Sequence, residues 1–119
     1  MTDAENHECV YRLASVAEWR AAQSAGIVPQ RDIDKRDGYM HLSTRDQLLE
    51  TARLHFAGAH DLLALEIPLA AIAERLKFEL APKRGEKFPH LYAELRVEHV
   101  ANVITLRRHG DEFAFGSPL

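Results

Sequence analysis

Two capping boxes constrain this chain more than any other feature of its sequence. Ser15 followed by Glu18, and Thr44 followed by Gln47, have the spacing at which a hydroxyl and a longer side chain satisfy each other's free amides at a helix start. One helix is therefore expected after Ser15, with Val16, Trp19 and Ala22 on its apolar side and Gly26 as its left-handed close. A second is expected after Thr44, through Leu48, Leu49, Ala52 and Phe56, closing at Gly58. Between and after these helices the pattern is one of short strands. Cys9 to Leu13 reads as the first, with Cys9 a small buried hydrophobe and Trp19 anchoring the helix that follows. Gly38 to Ser43 alternates Tyr39, His41 and Ser43 against Met40 and Leu42, the two-residue period of a half-buried strand.

Asp61 to Ile67 and Leu76 to Leu80 are further strands, the latter with Phe78 and Leu80 inward and Lys77 and Glu79 on the other face. Pro68 suits the first turn of a short helix reaching Ala73. Val100 to Arg107 and Glu112 to Phe115 form a hairpin about His109-Gly110-Asp111. Two stretches read as exposed: the charge-rich run from Gln30 to Gly38, a loop or single helical turn, and the loop from Ala81 to Pro89. About six strands and two or three helices, with helices early and hairpins late, predict an α+β fold. It is expected to be a single domain over residues 9–119 with a split mixed β-sheet, preceded by a polar tail over 1–8.

Composition narrows the setting. A chain of 119 residues that is 46% hydrophobic can bury a core without staples. The longest mostly apolar run, Leu62 to Ala73, is broken by Glu66 and Pro68 and falls short of the ~20 residues a bilayer span needs. Met1 to His7 lacks the basic and apolar segments of a secretion signal. Cys9 is the one cysteine, which excludes an internal disulfide and a thiolate metal cluster within one chain. The expectation is a cytoplasmic protein without a membrane segment. The charge balance, 15 − 18 = −3, and acidic residues interleaved with Lys83-Arg84, Lys87 and Arg107-Arg108 argue against non-specific nucleic-acid binding.

Three groups of residues can carry chemistry. His41 and Ser43 project from one strand face into the start of the second helix, a junction that suits an anion or a nucleotide. The plain alternative is that Thr44 caps the helix and His41 bonds to nearby backbone. In Phe88-Pro-His-Leu-Tyr92, His90, Tyr92 and Glu94 alternate and share a face in an extended chain, offering proton transfer, ribose contacts and an aromatic platform. The plain alternative is a turn stiffened by Pro89. Glu79 can hold a histidine tautomer, bind a ribose or act as a base, or be an ordinary exposed strand residue. The seven histidines form no short metal-ligand motif, so no metal is expected; a zinc site joining His41, His90 and a carboxylate is the version that spacing would hide.

The blocks Gly38-Tyr-Met-His41-Leu-Ser43 and Pro89-His90-Leu-Tyr92, at this separation, resemble the bacterial domain-of-unknown-function family 952, over Tyr11 to Phe115. That resemblance implies an ADP-ribosyltransferase-like fold that cradles NAD in active members. A more distant likeness is to the RNA 2′-phosphotransferases, in the order Tyr11-Arg12-Leu13, helix to Gly26-Ile27, then His41-Leu42-Ser43; the His-Gly-Thr block of those enzymes is replaced here by Tyr11-Arg12-Leu13. The resemblance implies a nucleotide cleft with His41, Glu79, His90 and Tyr92 as its catalytic group and Tyr11, His41, Ser43 and Tyr92 on NAD. Within it His41 and Ser43 would contact ribose or phosphate, Tyr92 would stack, and Glu79 or His90 would stabilise or deprotonate the reacting ribose. Three readings follow: an NAD-dependent transferase of ADP-ribosyl or phosphoryl groups, a non-catalytic module for a modified nucleotide, RNA end or protein partner, and a metal-dependent hydrolase.

Overall fold

The computed structural model describes residues 7–119, so of the expected tail only His7 and Glu8 fall within it. Seven strands form two sheets: β1 (Cys9–Ser15), β3 (Leu62–Pro68), β6 (Asn102–His109) and β7 (Glu112–Pro118) in the order β1-β3-β6-β7, and β2 (Met40–His41), β5 (Glu86–Leu91) and β4 (Leu76–Ala81) in the order β2-β5-β4. Four helices connect them: α1 (Val16–Ala25), α2 (Asp32–Asp37), α3 (Arg45–His55) and the single turn α4 (Leu69–Ile72). The α1 capping box is complete, Ser15 and Glu18 each accepting from the other's amide, while at α3 the return half alone is made, the Thr44 amide donating to Gln47 at 3.0 Å; Gly26 closes α1 at φ 81°. α3 stops at His55 with Phe56 as its cap, earlier than Gly58, which takes φ 90° in the turn beyond.

The split into two sheets is as expected, whereas the mix of strand directions is not: the five pairs of named strands are all antiparallel. Helices between β1 and β3 suggest a parallel crossover. Instead the chain visits β2 in the second sheet on the way, and returns along β1 in the opposite sense. A bridge between Tyr11 and Ser43 links the two sheets.

In the four-stranded sheet β1 and β3 are buried on both faces, which is why they read as almost unbroken apolar runs. On one face Val10, Ala14, Leu63, Leu65 and Ile67 pack with Trp19 and Ala22 of α1 and with Met40, Leu42 and Leu91 from the second sheet. On the other, Tyr11, Leu13, Leu62 and Ala64 meet Leu48 and Ala52 of α3 together with Leu106 and Phe113. Each fully buried leucine among these contributes about 1.5–3 kcal/mol by leaving water.

Four local expectations are corrected. The loop expected from Ala81 to Pro89 is confined to Pro82 through Gly85, and β5 follows with Phe88 and Pro89 buried inside the sheet. Within the run from Gln30 to Gly38 the helical alternative holds, as α2 over Asp32–Asp37, but the run is not all exposed: Asp34 is wholly buried. Leu80, expected to face inward, is 59% exposed, because β4 is an edge strand. Cys9 is half-buried rather than sealed in the core.

Candidate functional site

The second sheet, with α2 beside it, carries the chemistry. β5 places His90 directly across from His41 of β2 and from Lys77 of β4, so the three side chains share one face. Four residues expected in the site converge there: His41, Glu79, His90 and Tyr92. The imidazoles of His41 and His90 meet edge to face at 5.9 Å. His90 Nδ1 lies 2.9 Å from Glu79 Oε1, and the Tyr92 hydroxyl donates to the same oxygen at 2.5 Å. The Tyr39 ring lies over His90 with centroids 3.9 Å apart and planes 21° off parallel, and reaches Tyr92 at 5.4 Å. The Lys77 ammonium stands 5.1 Å from the Tyr92 ring.

His41 is held between two carboxylates. Its Nδ1 is 2.7 Å from Asp34 and its Nε2 2.9 Å from Asp37. Carboxylates only accept, so both contacts are hydrogen bonds when the ring carries both protons. Asp34 also receives Nη1 and Nη2 of Arg12, at 3.1 and 2.6 Å, and the backbone amides of Arg31 and His41, at 2.7 and 3.1 Å. Arg12 donates again to the His41 carbonyl at 3.0 Å. The pair of Arg12 and Asp34 is buried, and its polar groups are matched within this network.

Environment sets the charges. Burial alone would raise the Asp34 carboxyl, but the bonds from His41 and Arg12 outweigh it and hold the group well below the usual carboxylate range. Burial lowers His90 below an ordinary imidazole, with Glu79 opposing. Bonding to Tyr92 and then His90 lowers Glu79, and the same bond pushes Tyr92 up to about 12. Neutral His90 with its Nδ1 proton on Glu79 presents Nε2 as an acceptor.

Two expected members lie elsewhere. Tyr11 sits on the opposite face of the first sheet, donating to Glu66 at 2.7 Å and accepting from Arg45 at 3.2 Å. It belongs to the α3 side because it alternates with Arg12, whose side chain takes the other face. Ser43 is buried beside β1, exchanging backbone bonds of 2.8 and 2.9 Å with Tyr11. Glu94 does not continue the face of His90 and Tyr92: the strand ends at Leu91, the chain bends, and Glu94 is exposed near Arg96. Arg12, Asp34 and Asp37 are the members that spacing did not single out; Tyr39 was placed on the face of His41 by alternation but given no role. A groove of about 310 Å³, touched by His7, Gln47, Phe78 and Glu86, lies on the other face of β4. Among the described residues no group of three or more His, Cys, Asp or Glu side chains is placed to hold a metal ion. Nor is any helix among them long and apolar enough to cross a membrane.

The family model described as protein of unknown function (DUF952) matches residues 13–103. The chain belongs to the DUF952 family. The resemblance carried by the blocks at Gly38 to Ser43 and Pro89 to Tyr92 is thus correct at family level, and the DUF952 match contains every member of the cluster except Arg12. The fold is close to the crystal structure of protein CC0527 from Caulobacter crescentus, with 35% identity over 93% of each chain and a TM-score of 0.80. A double methionine variant of that protein gives a TM-score of 0.79 at 35% identity over 93% of each chain. Its solution NMR structure gives 0.77 at 35% identity, over 88% of this chain and 90% of that one. No curated protein matches the chain.

In this DUF952 chain two histidine and carboxylate pairs stand side by side under an aromatic cover. The histidine side chains differ in access: His41 is 30% exposed and His90 only 7%. Glu79 at 40% is open to solvent, so an incoming molecule meets Glu79, His41 and the rim of Tyr39 before it meets His90.

Proposed function

We propose that this DUF952 chain binds NAD or a related nucleotide at the cluster of Tyr39, His41, Glu79, His90 and Tyr92. The observation that carries the reading is the Glu79 carboxylate, which is bonded to both His90 and Tyr92 beside the stacked ring of Tyr39. Aromatic faces offer a platform for a flat heterocycle, and a neighbouring carboxylate favours the cationic nicotinamide ring of oxidised NAD. Ribose hydroxyls are matched by Glu79, while both ring nitrogens of His41 are taken by Asp34 and Asp37 and fix its ring as part of the wall. Glu79 is the group suited to stabilising positive charge that develops at the ribose carbon as nicotinamide leaves, while His90 and Tyr92 keep it ionised and oriented. The reaction class in keeping with this is ADP-ribosyl or phosphoryl transfer. An ADP-ribosyltransferase-like fold, the distant likeness to RNA 2′-phosphotransferases and a cytoplasmic location belong to the same proposal. Tyr11 and Ser43 serve it through the frame, by joining β1 to the second sheet.

A second reading, a non-catalytic module for a modified nucleotide, RNA end or protein partner, is favoured by Arg12. That guanidinium is spent inside the protein on Asp34 and the His41 carbonyl, so β1 offers the ligand no catalytic group. Thermal melting with NAD, ADP-ribose and AMP tests binding, and chromatography for released nicotinamide separates the two readings. NAD is expected to raise the melting temperature, and Tyr92→Ala to abolish the rise. Nicotinamide release on prolonged incubation supports transfer; binding without release supports the module. No shift with any of the three ligands would sink both nucleotide readings.

A further inference from the structure

The outer edge of β4 carries a pattern that the cluster does not use. β4 ends the second sheet, paired with β5 on one side and, among the described residues, with no strand on the other. Pro89 determines which backbone groups face that edge. The Leu42 amide donates to the Pro89 carbonyl, so Pro89 directs its backbone toward β2. Antiparallel ladders alternate, so Phe78, opposite Pro89, is not hydrogen-bonded to it, and the Phe78 N–H and C=O point to the open edge. Leu80, two residues on, shares that direction, and so does the Leu76 carbonyl, whereas the Leu76 amide is bonded to the Ala73 carbonyl of the preceding turn. No residue of β4 is buried, in contrast to the four buried residues of β5.

We propose that a second copy of this chain pairs with this edge, antiparallel and about a two-fold axis through Phe78, joining two three-stranded sheets into one. The register follows by elimination. Facing residues of antiparallel strands lie on the same sheet face, so the axis passes through a residue and not between two. An axis at Lys77 or Glu79 sets like charges opposite each other. An axis at Leu76 or Leu80 uses only one end of the strand. The axis at Phe78 sets Lys77 against the partner's Glu79 and Glu79 against the partner's Lys77, with Leu76 and exposed Leu80 covering each other. Both charge pairs fall at non-hydrogen-bonded positions, where Cα atoms approach to about 4.5 Å and side chains are closest. This sequence is complementary to itself, as a two-fold interface requires.

The pairing also changes the candidate site. Lys77 and Glu79 lie on the face that carries His90, so the partner's Lys77 arrives beside Glu79 and Tyr92. A cluster rich in carboxylates, from Asp34, Asp37 and Glu79, thereby gains a cation from outside the chain. That gain matters to a diphosphate only where the nucleotide reading holds; the pairing itself does not rest on it.

Sedimentation velocity and light scattering on the intact chain, from micromolar to millimolar concentration, test the proposal. A dimer whose share grows with concentration is expected. Lys77→Glu brings four carboxylates together at the axis and is expected to raise the dimer dissociation constant at least about tenfold. The double variant Lys77→Glu with Glu79→Lys restores the pairs and the dimer. Leu80→Asp, at an exposed position, is a second dissociating variant, and circular dichroism verifies that each variant folds. A monomer at all concentrations overturns the proposal. So does a dimer indifferent to both Leu80→Asp and Lys77→Glu. Nucleotide binding is read separately by melting, so the two ideas fail independently.

Discussion

At the scale of single residues, one carboxylate governs its neighbours. Glu79 accepts from Tyr92 and keeps that phenol protonated up to about 12. The other two tyrosines are also raised, Tyr11 by burial and then its bond to Glu66, and Tyr39 by burial and the charges of Asp37 and Glu79. Followed by ultraviolet absorbance, the three tyrosines of the folded protein are therefore expected to ionise later than a free phenol at ~10, with Tyr92 the last of them. Glu79→Gln should bring one phenol down toward that range, whereas Glu66→Gln should release Tyr11 and leave Tyr92 late. Because the Tyr92 shift is upward, its contribution to stability is full below the ordinary phenol range and is lost as pH rises through about 12. His41, Glu79, His90 and Tyr92 were legible as polar residues alternating along three short stretches. Asp34 was not: in Arg31-Asp-Ile-Asp34-Lys-Arg-Asp37 every charge looks alike, and the partner that marks out Asp34, Arg12, lies 22 residues away. Tyr11 was misplaced for a related reason, since alternation tells that Tyr11 and Arg12 part company and is silent on which face holds the cluster.

At the scale of elements, legibility follows the range of the signal. The starts of α1 and α3 are written within four residues each, and both helices begin where those signals put them, α1 with the full box and α3 with its Gln47 half. β5 was hidden because Pro82, Gly85 and Pro89 are loop signals, and only the pairing of Pro89 with Phe78 and Leu42 shows why a proline is tolerated there. Its missing donor faces β2, which accordingly pairs for just two residues, Met40 and His41. The brevity of β2 makes the preceding turn important. Gly38 closes α2 with φ 83° and sends its amide to the Asp34 carbonyl at 2.8 Å, just before Tyr39 and His41 enter the cluster. Open space surrounds the position where a Cβ would sit, so Gly38→Ala meets no clash and its cost is that of a left-handed backbone. The expected loss is about 1–2 kcal/mol in urea unfolding. If Gly38 sets the approach of Tyr39, the variant should also weaken any NAD-dependent rise in melting temperature. A loss well under that range would show that the turn relaxes to another backbone form.

At the scale of the whole molecule, two sheets with separate strand orders are held together by one buried ion pair as well as by apolar packing. Arg12 extends from β1 of the first sheet to Asp34 of α2 and to the backbone of β2 in the second, all within the protein interior. Removing one member strands the other without solvent, so Asp34→Ala is expected to cost about 3–5 kcal/mol in chemical unfolding. Replacing both, as Arg12→Met with Asp34→Leu, should recover much of that loss, because a well-packed apolar pair carries no desolvation penalty. The recovery would disrupt the positioning of His41, so stability and ligand response should separate in the double variant. Acid provides an independent reading. Asp34 is lowered by folding, so its contribution is full above the unfolded carboxylate value of ~3.9 and is lost as pH falls toward its depressed folded value. His90 is lowered as well, and its contribution is full above ~6.5 and falls away in mild acid. Unfolding midpoints measured on descending pH should therefore decline in two stages, the first missing in His90→Gln and the second missing in the double variant. An acid profile that keeps its second stage without Asp34 would mean that other carboxylates, and not the link between the sheets, govern the acid limit of the fold.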